Sequence, residues 1–213
     1  PILTLQPGTI INDLKLTQQH TRQWLKFATP ILADATAADG IIGLSTQGAQ
    51  IPILKPEQTL ARGEVHLKGL TIGPGPLSHQ LMPLLDQVLL LIKPSIADQS
   101  LKKKWMAMDE QVVNYAVQDG RVYHDHLKFN YKGINVETSG SVGFDQTLDI
   151  VASIHILDHW VQKEPLLSGM RGQSIKIPIS GTLAHPRLNR HAIASLSRDF
   201  LAKTAESALG NVV

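Results

Sequence analysis

Alternation of apolar and polar side chains with period two, sustained from Asp119 to Pro186, is what most constrains this chain. In Val122–Tyr131 one parity carries Tyr123, Leu127, Phe129 and Tyr131, and the other carries His124, His126, Lys128 and Asn130. The next apolar sets are Ile134, Val136, Val142 and Phe144, then Leu148, Ile150, Ala152, Ile154 and Ile156, then Ile175, Ile177, Ile179 and Leu183. Successive side chains of a strand point to opposite faces, so each segment has one apolar and one polar face. That pattern belongs to an antiparallel sheet covered on one side. Such a face must be hidden by the chain's own helices, by a partner protein or by lipid.

The turns between these strands are legible too. Asp119-Gly120 and Lys132-Gly133 are hairpin dipeptides, and Asp145-Gln146 turns into the strand after. They predict a meander of four strands over Gln111–Ile156. A helix around Trp160–Met170 then crosses to a strand Ser174–Leu183, and an amphipathic helix over about Leu188–Leu209 ends the chain. Upstream, Ile2–Leu5 and Thr9–Leu16 read as strands. Thr17 caps a helix carrying Trp24, Leu25 and Phe27, and Pro30 opens a short turn over Ile31–Ala35. Ile41–Thr46 and Gln50–Leu54 read as two short strands. In Gly63–Ile72 the apolar phase slips at Gly69, from Val65 and Leu67 to Leu70 and Ile72, as a bulge requires.

Gly73-Pro74-Gly75-Pro76 breaks the pattern and places Pro76 at the start of a helix over Leu77–Ile92. That helix is apolar nearly all round and shorter than the ~20 residues a membrane span needs. A helix of this kind is buried against the sheet. Each half of the chain thus has strands, an interrupting helix and a return strand, a weak internal echo. The fold class expected is α+β, mainly β: a curved antiparallel sheet, a meander, with several helices packed on or capping its apolar face. The 213 residues read as a single domain, with a subdivision into 1–105 and 106–213 as the alternative.

Chemistry-bearing residues are sparse. Absence of Cys excludes disulfides and thiolate chemistry. Net charge is +2, and twenty basic against eighteen acidic residues give no nucleic-acid footprint. His124-Asp125-His126 sets two imidazoles on one strand face, about 6–7 Å apart. With no third ligand placed by the sequence, they read as a solvent-exposed pair rather than a metal site. Gly43-Leu44-Ser45-Thr46-Gln47-Gly48 only approaches a nucleophile elbow. The prolines of Gly73–Pro76 remove the amide donors that a phosphate loop needs. Lys102-Lys103-Lys104-Trp105 reads as a solvated run. No cofactor and no metal are expected, and the chain reads as no enzyme.

Three segments resemble the C-terminal region of AsmA-like proteins, the bacterial envelope family with TamB-type members. They are Val117–Val122 with its Asp-Gly turn; Ser139-Gly140-Ser141-Val142-Gly143-Phe144-Asp145 followed by Leu148-Asp149-Ile150; and the closing Ile177-Pro178-Ile179-Ser180-Gly181-Thr182-Leu183-Ala184-His185-Pro186-Arg187-Leu188. The resemblance covers about residues 111–188. It implies a sheet curled into a trough with an apolar lining, in a protein that moves phospholipid between membranes or maintains the outer membrane. It also implies the periplasmic side of the bacterial envelope, anchored in the inner membrane by an N-terminal segment outside this chain. On this reading the partner is phospholipid or another lipid. Its tails would lie on Leu127, Phe129, Ile134, Val136, Val142, Leu148, Ile150, Ile154, Ile175, Ile177 and Ile179. The alternative is a structural or protein-interaction module whose groove is filled by its own helices. Both give the same alternation, because a covered side chain gains roughly 1.5–3 kcal/mol under protein or under acyl chain alike.

Overall fold

The computed structural model describes residues 1–23, 25–28, 30–33, 35–92, 106–163 and 171–188. Strands β1 (Ile2–Leu5), β2 (Gly8–Lys15), β3 (Ala38–Pro52), β4 (Leu60–Ile72), β5 (Met106–Met108) and β6 (Gln111–Gln118) form the first half of one sheet. Strands β7 (Arg121–Tyr131), β8 (Ile134–Gly143), β9 (Leu148–His155), β10 (Ser174–Gly181) and β11 (Pro186–Leu188) continue it. Every pairing among the described strands is antiparallel. β1 and β2 lie end to end along one side of β3. β5 and β6 likewise share the row between β4 and β7. From β6 to β11 each strand pairs with the next in sequence, which includes the expected meander.

Local chemistry sets these boundaries. Asp119 and Gly120 (φ 51° and 66°), and Lys132 and Gly133 (φ 50° and 83°), take the paired left-handed conformation of a tight hairpin turn. Gly69 lies at φ 57° where the register of β3 on β4 shifts, the expected bulge, so Val65, Leu67, Leu70 and Ile72 all reach the buried side. Where two short strands were expected around Thr46 and Gln50, β3 runs unbroken. A second bulge, between Thr46 and Gly48, absorbs the irregularity without ending the ladder. Ile53 and Leu54 fall outside β3, in the turn before Pro56.

Helices α1 (Gln18–Gln23), α2 (Leu25–Ala28), α3 (Pro76–Ile92) and α4 (Asp158–Lys163) interrupt the sheet. Helix α3 starts at Pro76 as expected, and the buried Ser78 hydroxyl bonds back to the Gly75 amide at 2.5 Å, satisfying a free donor of the first turn. Its Leu77, Leu81, Met82, Leu84 and Leu85 join Ile31, Leu67, Ile72, Phe129, Ile134 and Ile154 in one buried cluster. Asp86 fixes the helix to the β7–β8 turn, accepting from the Tyr131 hydroxyl at 3.2 Å and from Lys132 Nζ at 2.7 Å. Burial disfavours the Lys132 ammonium, but Asp86 and Tyr131 outweigh it and raise its pKa. The internal echo has a structural counterpart: β4–α3–β5 and β9–α4–β10 each leave the sheet through a helix and return on the neighbouring row. Trp24, the Lys102–Trp105 run, residues 164–170 of the crossover and the C-terminal helix beyond Leu188 lie outside the described residues. Among the described residues no helix is long and apolar enough to cross a membrane.

Candidate functional site

The apolar strand set comes together on one face. Cross-strand pairs join Phe129 to Val136, Val136 to Ile154, Ile154 to Ile175, Val142 to Leu148 and Ile150 to Ile179. Leu127, Phe129, Ile134, Val136, Val142, Leu148, Ile150, Ile154, Ile177 and Ile179 are buried, none more than 5% exposed. Ile175 is half-buried, packed on the rim of the same cluster. Phe144, expected with this set, is 39% exposed and lies beyond the end of β8.

The histidine pair does not form. β7 bulges between His124 and Leu127, and His126 takes φ 54°. One extra residue inverts the parity of everything before it. Val122 and His124 therefore face the core with Leu127 and Phe129, and Tyr123 turns to the polar face, opposite to expectation. His126 is exposed, with Nδ1 2.7 Å from Glu137 Oε1. That hydrogen bond, helped by the Asp125 and Glu137 charges, raises the His126 pKa. The two imidazoles thus occupy opposite faces. Among the described residues no three His, Asp or Glu side chains converge as a metal site.

His124 was not expected inside. It is 3% exposed and follows Thr46, Gly63 and Tyr115 across the sheet in one cross-strand row that continues through Gly140 to Ile150. Gly63 leaves the space that the Tyr115 ring needs; a Cβ there would lie 2.7 Å from the Tyr115 hydroxyl. The Tyr115 hydroxyl reaches the Ser45 carbonyl at 3.2 Å, and burial raises its pKa. His124 Nε2 lies 3.2 Å from the Thr138 hydroxyl, which donates onward to the Leu127 carbonyl at 3.5 Å. The ring therefore donates from Nε2 and leaves Nδ1 without a partner among the described residues.

Burial pushes the His124 pKa down to about 4 from 6.5, against the smaller opposing pull of Asp125. The unfolded chain binds a proton at this residue below pH 6.5, and the folded chain only below about 4. Stability is therefore complete above pH 6.5, falls as the pH drops toward 4 and levels off below it. The loss expected at the bottom of that window is about 3 kcal/mol. Urea midpoints measured from pH 7 to pH 4 on the wild type and His124→Gln isolate this residue; parallel curves would show His124 to be solvated.

Comparison with family models, with curated proteins and with solved structures found no match to this chain.

Proposed function

We propose that this chain is a structural or protein-interaction module of a bacterial envelope protein of the AsmA-like kind, non-enzymatic and filled by its own helix. One observation carries this reading. Ten of the eleven side chains that a lipid tail would need are already buried at 5% exposure or less, in the cluster to which α3 contributes five residues. Helix and acyl chain compete for the same strand face, and the tethered helix has the advantage of intramolecular concentration. The envelope assignment rests on the three sequence segments, each lying where one strand turns into its antiparallel neighbour: β6–β7, β8–β9 and β10–β11. On this reading the module sits on the periplasmic side, held at the inner membrane by a segment outside this chain.

Native mass spectrometry of the purified chain, followed by organic extraction, tests the proposal. The expected mass is that of the bare polypeptide, unchanged after incubation with phospholipid vesicles. Phospholipid retained at fixed stoichiometry would overturn the self-filled reading and restore a lipid conduit.

A further inference from the structure

The polar face of the sheet carries a second site. Arg62 on β4, Ala116 on β6 and Tyr123 on β7 are cross-strand partners, and their parity puts them opposite the buried set. Around them is a depression of about 440 Å³ lined also by Gln47, Asn114, Asp125 and Ser139. A second depression, of about 650 Å³, shares Gln47 and Arg62 and extends along Gln50 and Gln118 toward β1. Both volumes fall within the range of small-molecule sites. The two bulges, at Gln47 and at Asp125–His126, border the first depression. Bulges re-aim side chains and recur beside binding sites.

The lining defines the ligand. Among the described residues the Arg62 guanidinium makes no ion pair or hydrogen bond, although its own carbonyl is held by the Thr46 hydroxyl at 3.1 Å. The nearby carboxylates are engaged. Asp125 accepts from the Ser139 hydroxyl at 2.8 Å and lies 3.4 Å from His126, and Glu64 lies 3.3 Å from His66. One free cation therefore stands where the two depressions meet. Around it, the side-chain amides of Gln47, Gln50, Asn114 and Gln118 have no hydrogen-bond partner among the described residues. Primary amides donate and accept at once, as do the hydroxyls of a sugar. Half-buried Tyr123 offers a ring with an apolar body and a polar tip, suited to a pyranose face. A nucleic acid would need several cations and a lipid tail an apolar lining. Among the described residues this cleft has one free cation, many amides and a single carboxylate, Asp125, already engaged by Ser139 and His126.

We propose that this polar cleft binds an acidic oligosaccharide, with Arg62 holding a uronate carboxylate through its planar fork and the amides holding neighbouring hydroxyls. The site lies opposite the buried core, so its failure leaves the filled-module reading intact.

Calorimetric titration with an oligogalacturonate, and with a neutral malto-oligosaccharide of equal length, tests it. Saturable binding is expected for the acidic sugar, weakened about tenfold or more in R62Q, the loss of one charge-assisted contact. Ala116→Leu fills the floor between Arg62 and Tyr123 and is expected to abolish binding. Thermal melting of both variants checks that they fold, and exposed Arg62 reports even if the Ala116 variant does not. Absence of binding, equal affinity of R62Q and wild type, or equal affinity for the neutral sugar would each overturn the proposal. So would attraction that vanishes with added salt and ignores Ala116→Leu, the mark of diffuse charge.

Discussion

Ile150→Asp and Phe129→Asp are each expected to leave the chain unfolded or close to its unfolding threshold in plain buffer. Both wild-type side chains are only 2% exposed, inside the cluster that joins sheet and α3. Removing such a side chain costs about 2–5 kcal/mol through lost transfer energy and the cavity left behind. A carboxylate without a partner adds several kcal/mol more, or stays protonated at a comparable cost. The total rivals the whole 5–15 kcal/mol by which a domain is stable. Far-UV circular dichroism and urea melts read the result directly. An open, lipid-lined trough predicts the opposite, a folded protein with an unchanged midpoint that has merely lost its lipid. Ile150→Asp therefore separates the filled module from the conduit without any lipid present.

Gly140→Ala is expected to destabilise by about 4 kcal/mol, combining backbone strain with overpacking. Gly140 sits on β8 at φ 141°, opposite His124 on β7 and Ile150 on β9. A Cβ there would collide with the Asp149 carbonyl oxygen and lie 2.7 Å from Ile150 Cα. Both contacts are backbone, so relief requires the β8–β9 ladder to open. Gly133→Ala is the control: φ is 83°, and no atom lies within 4 Å of the added Cβ. It should cost only the conformational strain, about 1 kcal/mol. Thermal melts should then separate the two by roughly 6–12 °C at the 2–4 °C per kcal/mol typical of a chain this long. Equal shifts would mean that the close approach of β8 and β9 does not constrain the sheet.

The features legible in the sequence are those that local chemistry dictates. The Asp119-Gly120 and Lys132-Gly133 turns, the slip at Gly69, the start of α3 at Pro76 and the antiparallel order from β6 to β10 each rest on a turn residue or a period of two. The bulge in β7 carries no such mark. Its left-handed residue is His126 rather than Gly, and Asp125-His126 reads as ordinary alternation. That bulge sent His124 inward and Tyr123 outward, and with them the buried imidazole and the polar cleft. Likewise Gln47-Gly48 reads as a strand end, yet pairing with β4 on both sides of it carries β3 through.

The sequence by itself determined that one face of this sheet had to be covered. Only the tertiary structure decided what covers it, because burial free energy depends on the area removed from water and hardly on the identity of the cover. Helix α3 adds five side chains to the buried cluster, beside Leu16, Ile31, Ala33 and Ala35 from the segment before β3, and Asp86 fixes it to Tyr131 and Lys132, 45 and 46 residues away along the chain. A period of two records the direction of a side chain and nothing of what it meets.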